Sequence, residues 1–310
     1  MHFKIKGDVM DQKFKSGFVA VIGRSNVGKS TLLNTLVGEK IAIVSDKPQT
    51  TRNRIHCVLT REHYQIVFID TPGIHRAKNK LSEYMVKTAT STLDEVDVIV
   101  LVLDIADGIG AGDRNIIEML QDVQTPVIVA LNKADRLSSE ELSKRIEKFR
   151  TEFNNLDNYV AVSALLGTNL DQLEGEILEH LDEGPKYYPD DMITDQPERV
   201  IIAELIREKA LELLREEIPH GIGVEITSIR ERKDQPLIDI YATIYVEKKS
   251  HKGIVIGKRG QMLKQIGQRA RKDIENLLGT KVYLELWVKV TEDWRNSIIA
   301  LRNLGYDDRN

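Results

Sequence analysis

The chain is short of cysteine, of long apolar stretches and of surplus charge, and each shortage removes a class of protein. Cys57 is the single cysteine among 310 residues. One thiol cannot build a disulfide framework or a zinc site within a chain, so Cys57, in Ile55-His56-Cys57-Val58-Leu59, reads as a buried structural residue. The longest apolar run, residues 98–103, stops at Asp104. That is far below the roughly 20 residues a membrane-spanning helix needs. Residues 1–15 carry charges throughout and have no apolar core, which is not the pattern of a secretory leader. There is no internal repeat and no low-complexity tract. The histidines, His75 included, have no ligand-like spacing. A formal net charge of −4 argues against a non-specific nucleic-acid binder. The remaining composition, 41% hydrophobic and 30% charged, is that of a globular chain about twice the length of a typical domain. A cytoplasmic protein of two domains is expected.

What is present is concentrated in short motifs. Gly23-Arg24-Ser25-Asn26-Val27-Gly28-Lys29-Ser30 matches the phosphate-binding pattern GxxxxGK[ST]. It lies between a buried strand, Phe18-Val19-Ala20-Val21-Ile22, and a helix opening at Thr31. Its glycines let backbone N–H groups close around phosphates at a helix N-terminus. Lys29 would reach the β- and γ-phosphates, and the Ser30 hydroxyl would ligate magnesium. A second buried strand, residues 64–69, ends in Asp70-Thr71-Pro72-Gly73, where a carboxylate can hold magnesium through water and the Gly73 N–H can meet the γ-phosphate. A third, residues 127–131, runs into Asn132-Lys133-Ala134-Asp135. The Asp135 carboxylate suits the paired N1 and N2 donors of guanine; adenine has no such pair and would leave the acceptors unpaired. The Lys133 stem can cover the base, and Asn132 can tie neighbouring loops. A fourth strand, residues 159–162, leads to Ser163-Ala164-Leu165, where a backbone N–H can meet the guanine carbonyl.

In this order, each at a strand end, the motifs resemble the P-loop GTPases over about the first 180 residues. The resemblance implies an α/β domain with a mostly parallel sheet flanked by helices, GTP or GDP as ligand and magnesium as cofactor. Thr50-Thr51-Arg52 resembles the first switch segment, whose threonine meets magnesium and the γ-phosphate; the adjacent pair leaves the register open, with Thr51 favoured. Signalling members of the class carry glutamine after the DTxG glycine. Here that position is Ile74, which cannot orient a water, so catalysis would rest on Lys29, Thr51, Asp70, Gly73, magnesium and additional help. Asn26 stands at the loop position that ligates potassium in some related GTPases, making potassium a candidate activator. Slow unassisted turnover is implied, on the order of 10⁻⁴ to 10⁻² s⁻¹.

Residues 170–181 read as the last helix of this domain, taken as 1–181. Residues 182–198 mix proline, glycine and acids without periodicity, as linkers do. Residues 199–217 then read as a helix that stops at Pro219-His220-Gly221, residues 224–229 and 237–246 as strands, residues 261–277 as a helix and residues 281–290 as a strand. Between the last two strands stands Ile254-Val255-Ile256-Gly257-Lys258-Arg259-Gly260. Glycines there would let an RNA backbone approach, with Lys252, Ile256, Lys258, Arg259 and Lys264 around it. From residue 248 to 281 ten Lys/Arg face only Asp273 and Glu275, a local basic excess of the sort an RNA face needs. This GxxG loop before a helix looks like a KH domain in its bacterial (type II) α+β arrangement, spanning 199–303, with 304–310 as a tail. Trp287 and Trp294 are candidates for stacking on bases, although Trp287 falls on the polar phase of its strand. Leu263, Ile266, Ala270, Ile274 and Leu277 read as the apolar stripe of the helix after the loop.

One GTPase domain joined to a C-terminal KH domain is similar to the Era family of bacterial GTPases. That family resemblance implies a monomeric switch that binds the 3′ end of small-subunit ribosomal RNA and assists maturation of the small ribosomal subunit. The rival reading is a regulatory GTPase held peripherally on the inner face of the cell membrane by its basic C-terminal domain, contacting lipid or a protein partner.

Overall fold

The computed structural model of the chain describes residues 14–45, 47, 49–74, 76–156, 158–215 and 218–306. His75, most of residues 1–15, residues 216–217 and residues 307–310, on which parts of the expectations above fall, lie outside them. The first unit is built on a six-stranded sheet. Its strands are β1 (Lys15–Ile22), β2 (Ile55–Thr60), β3 (Tyr64–Asp70), β4 (Val98–Asp104), β5 (Val127–Asn132) and β6 (Tyr159–Ala161), in the order β2-β3-β1-β4-β5-β6. The connection from β2 to β3 is three residues, short enough only for a hairpin, so β2 is antiparallel and every other neighbour pair is parallel. Parallel strands covered on both faces must be apolar throughout. Residues 98–103 show this, each buried, with about 1.5–3 kcal/mol for each large side chain taken from water.

Helices α1 (Lys29–Val37), α2 (Lys80–Ser91), α3 (Ala111–Met119), α4 (Ser139–Glu152) and α5 (Leu170–His180) flank the sheet. One core gathers Leu32, Leu33, Leu173 and Ile177 with one sheet face. The other gathers Ile116, Ile117 and Phe149 with the opposite face. The loops after β1, β3, β5 and β6 all leave from strand C-termini, and β1 lies where strand order reverses, the place α/β sheets bind ligands.

The second unit contains α6 (Glu198–Leu213), β7 (Gly223–Glu231), β8 (Leu237–Val246), α7 (Lys249–Ile256), α8 (Gln261–Leu278), β9 (Lys281–Val290) and α9 (Ile298–Asn303). Its sheet runs β7-β8-β9, antiparallel then parallel. Ile240, Ala242, Ile244 and Val246 point from β8 into a core closed by Ile202 and Ile206 of α6 and Ile266, Ala270 and Ile274 of α8.

Two expectations are corrected. The helix expected over 199–217 ends at Leu213; Leu214 is already extended, its N–H still on the Ala210 carbonyl at 3.0 Å, and its side chain is buried. Leu277 is exposed and Leu278 takes its place in the core, because a 3.6-residue period carries the stripe from Ile274 to 278. Residues 182–198 run against the first unit. Ile193 accepts from the Val58 N–H of the edge strand at 2.9 Å, and the Gln65 side chain receives the N–H groups of Tyr187 and Tyr188. The stretch from 304 begins packed, with Tyr306 buried against Trp294.

Candidate nucleotide and nucleic-acid sites

The glycines after β1 are required by what surrounds them. At Gly28, with φ +103°, a Cβ would lie 2.3 Å from Asn132 Nδ2. That amide donates to the Val27 carbonyl at 2.8 Å, while Asn132 Oδ1 accepts the Ala164 N–H at 2.9 Å. Asn132, the last residue of β5, therefore ties its own loop to the phosphate loop and to the loop after β6. Gly73 sits so close to the phosphate loop that a Cβ would be 2.7 Å from Ser25 Oγ. The next residue, Ile74, donates its N–H to the Gly23 carbonyl at 3.3 Å.

Lys29 opens α1, is buried, and curls back so that Nζ donates to the carbonyls of Gly23 and Arg24 at 3.0 Å each. Burial lowers its pKa to about 8, with the charge of Asp70 opposing the shift. Asp70, at the end of β3, is fully buried, and burial raises its carboxyl above the usual range against the pull of Lys29, Ser30 and Thr51. Its Oδ2 accepts from Ser30 Oγ at 2.9 Å and Thr51 Oγ1 at 3.1 Å, and the two hydroxyls are 3.0 Å apart. Asp70 Oδ1 has no hydrogen-bond partner. Three hard oxygens converging beside an unsatisfied buried carboxylate oxygen are a donor set that fits magnesium. Thr50, by contrast, turns its hydroxyl to the Lys47 carbonyl at 2.6 Å. Of the two adjacent threonines, it is Thr51 that the fold brings to Ser30 and Asp70. Thr71 is spent structurally, donating to the Val21 carbonyl at 2.8 Å.

At the far end of the loop, Asp135 Oδ1 accepts from Ser163 Oγ at 2.6 Å. Lys133 Nζ is held between Asp104 Oδ2 at 2.5 Å and the Asn26 carbonyl at 2.8 Å. Leu165 lies exposed at the rim. Asp104 is a residue that motif reading passed over: an acid ending a buried strand was its only signal. Burial alone would raise its carboxyl, yet hydrogen bonds from Lys133 and the Asp107 N–H bring it below its ordinary value. Asp113 was missed in the same way; it receives Arg24 Nε at 3.1 Å and so steadies the phosphate loop from α3.

In the second unit, α7 ends at Gly257, whose φ of +73° and ψ of 176° reverse the chain. A Cβ there would meet Met262 Cβ at 2.7 Å and its backbone N at 2.9 Å, whereas Gly260, with φ +77°, faces open space. Lys252, Lys258, Arg259 and Lys264 are all exposed around this turn, and Ile256 is half-buried beneath it. Trp287 is 62% exposed on the outer face of β9. Trp294 is fully buried, donates Nε1 to the Gly221 carbonyl at 2.9 Å and packs with Tyr306, so it is not available to stack on bases. No helix among the described residues is long and apolar enough to cross a membrane.

Residues 18–133 match the family model described as 50S ribosome-binding GTPase, and residues 217–295 match that of the KH domain. The chain is 58% identical over 294 residues to GTPase Era of Alkaliphilus oremlandii, covering 95% of this chain and 99% of that protein. It is 56% identical to GTPase Era of Clostridioides difficile over 296 residues, 96% and 100% of the two chains. Among solved structures, a single-residue variant of Aquifex aeolicus Era bound to GDP.AlF4− superposes with a TM-score of 0.92 at 43% identity, over 94% of this chain and 99% of that one. The complex of Era with MgGDPNP and nucleotides 1506–1542 of 16S ribosomal RNA gives the same TM-score, identity and coverage.

Proposed function

The chain belongs to the Era family, GTPases with a C-terminal KH domain, and from that premise we propose that it is a GTP-driven switch acting on the 3′ end of small-subunit ribosomal RNA during assembly of the small subunit. The observation that carries the RNA assignment is the exposed turn at Gly257–Gly260. It is ringed by four exposed basic side chains and has open space over Gly260, on a fold shared with a relative solved in complex with that RNA. The two glycines admit a sugar–phosphate backbone, Lys258 and Arg259 neutralise it, and the adjacent groove reads base edges.

For the nucleotide, Asp135 accepts from guanine and Ala164 or Leu165 supplies an N–H to its carbonyl. Lys29 exchanges the carbonyls of Gly23 and Arg24 for β- and γ-phosphate oxygens; with a pKa of about 8 it carries its proton at neutral pH. Ser30, Thr51 and Asp70 would hold magnesium, which would supply compensating charge to the phosphates. Thr51 and the segment after Gly73 are ordered by the γ-phosphate and released on its loss. Ile74 offers no hydrogen bond to a water, so hydrolysis is slow unless potassium near Asn26, or a partner, assists it. The units are taken as 1–181 and 199–303, joined by 182–198.

The test is the affinity of an RNA matching the 16S 3′ end for protein loaded with GDP or a non-hydrolysable GTP analogue. Tighter binding with the analogue supports nucleotide-gated RNA capture. Equal binding in both states would overturn the gating, and no binding in either would overturn the RNA assignment.

A further inference from the structure

The described residues between α1 and β2, which include Thr51, have no regular structure of their own, so their backbone must find partners elsewhere. It finds them on the second unit. The Val44 N–H donates to Glu208 Oε1 at 2.9 Å, and Lys40 Nζ pairs with Glu208 Oε2 at 2.6 Å. The Thr50 carbonyl accepts from Arg207 Nη2. Arg52 reaches across to the carbonyls of Ile222 at 2.6 Å and His220 at 3.2 Å. Thr51 is thus gripped on both sides, through the carbonyl before it and the side chain after it.

Arg207 is the unusual member. It lies in the middle of α6, is fully buried, and is forked by Glu204 one turn earlier, with Nε on Oε1 at 2.8 Å and Nη2 on Oε2. Nη1 has no hydrogen-bond partner. A buried ion pair is poor value as a stabiliser, since an apolar side chain of like size would pack as well or better. Its use here is aim: Glu204 fixes the planar guanidinium, and the guanidinium fixes the Thr50 carbonyl.

We propose that Arg207 is a positioning residue of the GTPase site, supplied by the KH unit, which holds Thr51 against Ser30 and Asp70. The assignment rests on the reading of Thr51 as a contact of magnesium and the γ-phosphate. On that reading Arg207 acts only where the γ-phosphate is present, and GDP binding is blind to it.

The experiment measures the affinities of the full chain, with magnesium, for a non-hydrolysable GTP analogue and for GDP. For Arg207→Ala the analogue is expected to weaken by about tenfold, the factor one lost hydrogen bond is worth. GDP affinity is expected to stay within about twofold, and Arg207→Lys, which keeps charge without the fork, to fall between Ala and wild type. Equal weakening for both nucleotides, or none for either, would overturn the proposal. Thr51→Ala is the control: if it fails to separate the analogue from GDP, the reading of Thr51 falls; if it separates them and Arg207→Ala does not, only the role of Arg207 falls. Should Arg207→Ala not fold, Glu204→Gln loosens the same fork at constant volume, and the same pair of affinities decides.

Discussion

The guanidinium of Arg52 lies 5.7 Å from the ring centre of Trp294 and 5.8 Å from that of Tyr306, in a pocket of the second unit. Around it Leu81 and Met85 of α2 meet Trp294, Leu301 and Tyr306. A residue numbered beside Thr51 is therefore part of the core between the two units. This arrangement makes the contact between units a function of where the Thr50–Arg52 segment stands.

Arg52→Ala removes two hydrogen bonds to carbonyls and both aromatic contacts, and leaves the carbonyls of Ile222 and His220 without that donor. The expected cost is about 2–4 kcal/mol of contact between the units. Proteolysis within residues 182–198 and thermal unfolding read it out. A melting temperature and cleavage rate equal to wild type would show that the cage contributes nothing.

The two glycines of the turn after α7 should differ. Gly257→Ala places a Cβ 2.7 Å from Met262 Cβ at φ +73°, so the turn must shift and RNA affinity should fall by more than about tenfold. Gly260→Ala meets nothing within 4 Å and bears only the positive-φ strain of about 1 kcal/mol. RNA titrations of both variants check the order. Basal GTP hydrolysis should be unchanged in each, because the turn touches none of the nucleotide residues.

Asp135→Asn turns a carboxylate acceptor into an amide whose NH2 faces the guanine donors. Guanine nucleotide affinity should fall by at least about a hundredfold, as expected when buried polar groups are left unpaired. Xanthine nucleotides, which carry a carbonyl in place of the guanine amino group, should be accepted in exchange. Competition binding with GDP and XDP decides it, and an unchanged preference for GDP would remove Asp135 from base recognition.

Asp273 ties α8 to the first unit through Lys40 at 2.9 Å and to α6 through Lys209 at 3.0 Å. Burial would raise its carboxyl, but the hydrogen bonds from the two lysines leave it below the ordinary 3.8. A depressed folded pKa means the contribution is complete above about pH 3.8 and is lost as pH falls through the lower folded value. Contact between the units should accordingly loosen below that point and with added salt, and Asp273→Asn should be less sensitive to both. For a partly exposed pair the effect is about 1 kcal/mol. Fluorescence transfer between labels on the two units, followed against pH and salt, measures it.

The nucleotide site was legible because its chemistry is local. The residues proposed for phosphate, magnesium and guanine sit mostly at the ends of buried strands, and a parallel sheet brings the ends of β1, β3, β5 and β6 to one edge, so short motifs in order suffice. The KH turn was legible for the same reason: two glycines, basic neighbours and a helix start are contiguous. Residues whose partners are distant in sequence were not. Arg207, Glu208 and Lys209 are charged residues within a helix that no motif singles out, yet all three are buried, with partners in the first unit or α8. Trp294 read as a base-stacking candidate and is core, because a tryptophan's burial depends on what packs over it rather than on its strand or loop. Likewise the choice between Thr50 and Thr51 required seeing that Thr51 turns its hydroxyl to Ser30 and Asp70 while Thr50 turns to the Lys47 carbonyl. Motif order and hydrophobic period determined the fold class and the ligand, since these depend on bonds within one loop or one element. Only the tertiary structure decided which threonine faces Asp70, a side-chain contact that no periodicity encodes, and which side chains join the two units, since the contacts between units span more than 150 residues of chain.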